Sequence, residues 1–78
     1  MTDVQLGQVI RAVRRRRGLR QTDVAALAGT SANVVSRIER GRMEEVSLRA
    51  LRRVAHALEI DLAVTARWRG GEFGRLLN

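Results

Sequence analysis

Three glycines cut the first part of this chain into pieces of helical length. Gly18, Gly29 and Gly41 stand 11 and 12 residues apart, and the 78 residues contain no proline. Between the glycines, apolar residues recur every three or four positions, the period of an amphipathic helix. Glycine ends a helix readily because it accepts the left-handed conformation that closes the last turn. Helices this short are marginal in water and need neighbours to pack against. The chain therefore folds as a set of short, mutually packed helices.

The spacing predicts four of them. The first covers residues 3–16, with Leu6, Ile10 and Val13 on one side, Val9 beside them, and Thr2 or Asp3 as cap. The arginines Arg14–Arg17 fall in its last turn, where cations suit the helix dipole. The second covers 21–28, with Val24, Ala25 and Ala28 inward. The third, 31–40, takes Thr30 or Ser31 as N-cap and points Val35 and Ile38 inward. The fourth, 48–58, is capped by Ser47 and buries Leu48, Leu51, Val54, Ala55 and Leu58.

After residue 60 the period changes from helical to alternating. Leu62, Val64, Ala66 and Trp68 fall on one side; Asp61, Ala63, Thr65 and Arg67 fall on the other. Alternation predicts a strand over 61–69. A lone strand has unsatisfied backbone groups, and the same strand of a second copy would pair with it about a two-fold axis. Leu62, Val64, Ala66 and Trp68 are then the dimerisation residues. The tail, 70–78, opens with two glycines, ends before a helix can form, and is compatible with continuation into further chain. The expected organisation is an all-α, compact four-helix domain over 1–60, a dimerising β-strand over 61–69, and a tail.

Composition narrows the partner. The net charge is +7, and all 15 cations are arginine. Such a balance favours an anionic partner. With one Trp, one Phe and no Tyr, the chain lacks the aromatic platforms that stack single-stranded bases. Duplex DNA fits better. There is no cysteine and only one histidine, which argues against a zinc site or a disulfide. No apolar run approaches the roughly 20 residues of a membrane span, and no leader is visible, so a cytoplasmic, nucleoid-associated location is expected. No cofactor, metal site or catalytic residue is expected. His56 stands alone, Glu44 and Glu45 lie in a loop, and no nucleophile–base set, phosphate loop or metal cluster can be assembled.

The middle of the chain gives the function. Ala25 is small enough for the next helix to cross closely, Gly29 makes the turn, and Val35 and Ile38 drop back onto Val24, Ala25 and Ala28. Two helices crossing steeply through a short glycine-containing turn make a helix-turn-helix, whose second helix is sized for a major groove. The polar face of that helix then reads DNA.

The stretch "GLRQTDVAALAGTSANVVSRIERGR", Gly18 to Arg42, resembles the lambda-repressor-like, Cro-type helix-turn-helix of XRE-family regulators. The likeness extends from Leu6 through "SLRALRRVAHALEIDL" to Leu62. Gln21, Ala25, Gly29, Val35, Ile38, Glu39 and Gly41 fall where that family has them. The resemblance implies dimeric binding to double-stranded DNA and usually repression. By the same resemblance, Ser31, Ala32, Asn33, Val34, Ser36 and Arg37 lie at or beside base edges, with Asn suited to adenine and Arg to guanine. Arg20, Gln21, Arg40 and Arg42 match phosphate-contact positions, and Arg14 pairs with Glu39 as a structural ion pair. Val34 departs from the family's usual small polar residue and suits a thymine methyl, whereas Ala32, where some relatives carry a long polar side chain, leaves more to Asn33, Arg37 and DNA shape.

Other readings stand beside this one. Helical domains with an added strand resemble antitoxins of type II toxin–antitoxin pairs, so a toxin protein is an alternative partner, as is a C-terminal domain beyond this chain. Arg14–Arg17 serve either the DNA backbone or a solvated surface. Arg49, Arg52 and Arg53 form a solvated face or the seat of an acidic partner, and Leu27, at a position usually polar in the family, packs beneath a partner or stands exposed. A basic amphipathic membrane binder is disfavoured, because the first helix needs its apolar face for the core.

Overall fold

The computed structural model describes residues 1–77. Five helices follow in chain order: α1 Asp3–Arg16, α2 Gln21–Ala28, α3 Ala32–Glu39, α4 Leu48–Ala57 and α5 Phe73–Leu77. One 3₁₀ turn, Met43–Glu45, links α3 to α4.

Local chemistry sets the helix starts. The Thr2 hydroxyl accepts the Gln5 amide at 3.2 Å, and the Gln5 side chain accepts the Thr2 amide at 2.9 Å. Both satisfy donors that the first turn leaves free. Ser31 accepts the Val34 amide at 3.2 Å at the start of α3, and Ser47 accepts the Ala50 amide at 3.0 Å at the start of α4. α2 lacks a hydroxyl cap; there the Asp23 carboxylate accepts the Arg20 amide at 2.8 Å. α2 stops at Gly29, whose φ of 67° lets the Thr30 amide reach the Ala25 carbonyl at 2.9 Å. α4 stops without a glycine. Glu59 takes φ 57° instead, and the Ile60 amide reaches the Ala55 carbonyl at 2.8 Å.

The core lies among α1 to α4. Ile10, Val24, Val35, Ile38, Val54 and Leu58 are fully enclosed, with Ala25, Ala28, Leu51 and Ala55 between them. Each large side chain removed from water contributes about 1.5–3 kcal/mol. Val34 and Leu62 pack against this core from its edge. α1 crosses the end of α3 at Gly7. A Cβ there would stand 2.4 Å from the Ile38 carbonyl oxygen and 2.9 Å from that of Glu39, so only glycine permits this approach. At Gly41 a Cβ would stand 2.8 Å from Val4 Cα on the same side of the crossing.

The expectations for residues beyond 60 need correction. No strand forms among the described residues. Residues 61–68 carry no regular structure. Leu62 is half-buried against its own core, while Val64, Ala66 and Trp68 are exposed. The indole of Trp68 instead folds back over Gly70 and Gly71. The tail does form a helix, the five-residue α5, which buries nothing. α3 and α4 are each slightly shorter than the spacing implies, and the 3₁₀ turn was not anticipated. Asn78 lies outside the described residues. The radius of gyration, 14.6 Å, exceeds the roughly 11.5 Å of a compact chain of this length, since this C-terminal arm projects from the four-helix body.

Candidate nucleic-acid interface

The site is built on α2 and α3. Val35 and Ile38 anchor one side of α3 in the core, which leaves Asn33 and Arg37 on the outside. They are four residues apart, one helical turn, or about 6 Å along the axis. That is close to two base-pair steps of a duplex at roughly 3.4 Å each. Both side chains are exposed, and Arg37 takes part in none of the ion pairs found among the described residues.

The remaining α3 positions differ from one another. Ser31 is exposed, and its hydroxyl is engaged as the N-cap. Ala32 and Ser36 are half-buried. Val34 is half-buried and packs on the core edge, so it offers little apolar surface outward.

Glu39, at the end of α3, is the hub that orients this helix. Arg14 donates to its two carboxylate oxygens through Nε at 2.6 Å and Nη2 at 2.9 Å. The same guanidinium donates to the Leu19 carbonyl at 2.8 Å, and Gln21 donates its amide to Glu39 at 3.2 Å. The two charged side chains are only 10% and 3% exposed. The hydrogen bond to Glu39 raises the Arg14 pKa against the opposing effect of burial, which keeps the guanidinium charged. The structure thus brings Arg14 and Glu39 together and adds Gln21 to them. Gln21 thus spends its side-chain amide inside the protein, on Glu39.

The expected phosphate contacts divide in the same way. Arg40 is exposed, with Nε donating to the Ser36 carbonyl at 3.4 Å. Arg42 is exposed and stands 3.7 Å from Glu45. Arg20 pairs with Asp23 at 3.1 Å. That pairing raises the Arg20 pKa and, through the side-chain hydrogen bond first and the backbone one second, holds the Asp23 carboxyl below the usual carboxylate range. Arg17 pairs with Glu59 at 2.7 Å and so faces the end of α4.

Sequence reasoning missed one arginine. Arg11 and Arg15, one turn apart on α1, line a cleft with Gln21, Ser36 and Arg40. The i, i+4 spacing was the available signal. The consecutive run Arg14–Arg17, whose first member points inward, masks that spacing. No group of residues able to hold a metal ion occurs among the described residues, and no helix there is long and apolar enough to cross a membrane.

A family model described as "Helix-turn-helix domain" matches residues 5–68. The HTH-type transcriptional regulator SlrR of Bacillus subtilis (strain 168) is 35% identical over 57 residues, which is 73% of this chain and 38% of the relative. The chain therefore spans well under half the length of that regulator. The crystal structure of the restriction-modification controller protein C.AhdI from Aeromonas hydrophila superposes with a TM-score of 0.65 at 38% identity, covering 74% of this chain and 86% of the other.

Proposed function

Because this chain belongs to the helix-turn-helix domain family, of the XRE type, we propose that it is a sequence-specific double-stranded DNA-binding transcriptional regulator that works as a homodimer and represses. The observation that carries the reading is the pairing of two faces on α3. Its inner face is fixed by Val35, Ile38 and the Glu39 hub, and its outer face presents Asn33 and Arg37 one turn apart. Asn33 would bond an adenine edge and Arg37 a guanine edge. Arg40, Arg42 and the α2 N-terminus would hold phosphates, and Arg11 and Arg15 extend the same cationic surface. Two copies would place their α3 helices in successive major grooves, with half-site centres about 10 bp apart. The names of the similar proteins, a transcriptional regulator and a restriction-modification controller, support a regulatory role. The antitoxin alternative uses this same DNA face and adds a protein partner on α4, on residues 61–69 or on the tail.

Fluorescence anisotropy tests the reading, with duplex from the gene's own upstream region against scrambled duplex at two salt concentrations. The native duplex should be preferred. Asn33→Ala and Arg37→Ala should each lose about 1–3 kcal/mol on it, roughly 5- to 150-fold, with little loss on scrambled duplex. Equal, salt-sensitive binding to both duplexes, unchanged by these substitutions, would leave only non-specific charge attraction and refute it.

A further inference from the structure

The outer face of α4 is unusual for a solvated helix. Arg49, Arg52, Arg53 and His56 follow at i, i+3, i+4 and i+7, so they share one stripe, and the ion pairs among the described residues include none of the three arginines. Like charges at this spacing repel, and a helix face meant only for water ordinarily intersperses acids. Beside the stripe lies an apolar strip. Leu27, at the end of α2, is 66% exposed, and Leu48, at the start of α4, is 48% exposed. Together these six residues line an open groove of about 550 Å³. Arg53 leans over its end, with Nη1 3.9 Å from where a Cβ on Gly29 would stand.

We propose that this groove seats an acidic amphipathic helix of a partner protein. The apolar floor takes the partner's leucine-like stripe, and the arginine rim takes carboxylates on either side of it. α4 has ten residues and is about 15 Å long, which accommodates roughly three turns of such a helix. Charge selects this occupant over the others within reach. A second copy meeting face to face would set Arg52 and Arg53 against their own equivalents. The chain's own arm carries Arg67, Arg69 and Arg75 against Asp61 and Glu72, so it is basic as well. A DNA backbone would satisfy the arginines, but would leave Leu27 and Leu48 with nothing to bury against. The inference stands apart from the DNA reading and uses a different face.

The test is a labelled synthetic peptide of about 18 residues, helical, with Leu on one stripe and Glu flanking it. The controls are a scramble of the same composition and a version with Lys for Glu. Anisotropy should give a dissociation constant of about 50 µM or tighter for the acidic amphipath, and at least about tenfold weaker binding for both controls. In ¹H–¹⁵N spectra the shifts should cluster at Leu27 and along 48–56. Leu27→Ser and the double variant Arg52→Glu/Arg53→Glu should each weaken the peptide about tenfold while keeping helical circular dichroism and operator affinity. Equal binding of the scramble, shifts centred on α3, or unchanged peptide affinity in both variants would overturn the proposal. A large loss of operator affinity in the double variant, with the peptide unaffected, would assign the stripe to DNA instead.

Discussion

Removing Glu39 should cost this protein a large part of its stability, and removing its partner as well should restore most of it. Glu39→Ala leaves the Arg14 guanidinium buried with the Leu19 carbonyl as its remaining acceptor, and it strands the Gln21 amide. Breaking one side of a buried ion pair costs about 3–5 kcal/mol. A chain of this length has about 4–12 kcal/mol in total. At about 4–8 °C per kcal/mol, the midpoint should fall by at least about 12 °C. The double variant Arg14→Met/Glu39→Leu replaces both charges with apolar volume and should lie within about 1 kcal/mol of the parent. Urea titration followed by helical circular dichroism measures this. Trp68 fluorescence would not, because the indole sits on the arm away from the core. A single-variant cost below about 1 kcal/mol, or a double variant no better than either single one, would refute the view that this pair is a buried, mutually dependent unit.

Three further outcomes follow from features of the backbone and caps. Gly7→Ala should lower stability by about 1–2 kcal/mol, because overpacking against the Ile38 and Glu39 carbonyls outweighs the gain in helix propensity; a rise in the thermal midpoint would contradict the close crossing. Glu59→Gly should raise stability by up to about 1 kcal/mol, since it relieves a left-handed non-glycine residue and gives up only the exposed pair with Arg17. Asp23 titrates below its unfolded value, so its contribution is present above the ordinary carboxylate pKa and is lost as pH falls through the lower folded one. Asp23→Ala should therefore lower the thermal midpoint at neutral pH, with the difference from the parent vanishing in strong acid, as midpoints measured across that range would check.

How much of the fold was legible in the sequence depended on whether both halves of an interaction lay in it. The starts of α1, α3 and α4 were readable because Thr2, Ser31 and Ser47 bond amides three residues on. The end of α2 was readable because Gly29 marks it. The end of α4 was less clear, since Glu59 takes the role that a glycine usually has. The alternation over 61–68 described side chains and not the backbone partner a strand requires, so it misled. Gly7 was invisible as a constraint, for a glycine inside a helix reads only as a weak position until the crossing chain is known. In the candidate site, the outward register of Asn33 and Arg37 followed directly from Val35 and Ile38. The diversion of the Gln21 side chain to Glu39 did not, because it depends on a contact 18 residues away.

The crossing at Gly7 tolerates change differently from the rest of the interior. At Gly7, main-chain atoms of α1 approach main-chain atoms at the end of α3 with no side chain between them. In the aliphatic interior, one branched residue can be exchanged for another of similar volume at a cost below about 1.5 kcal/mol, with the tilt of α3 kept. A single added methyl at position 7 would push the end of α3 away from α1, at the cost in stability given above, and tilt the face that carries Asn33 and Arg37. The aim of α3 is thus held at two places along α1, the bare crossing at Gly7 and the buried Arg14–Glu39 pair one side chain deep beside it.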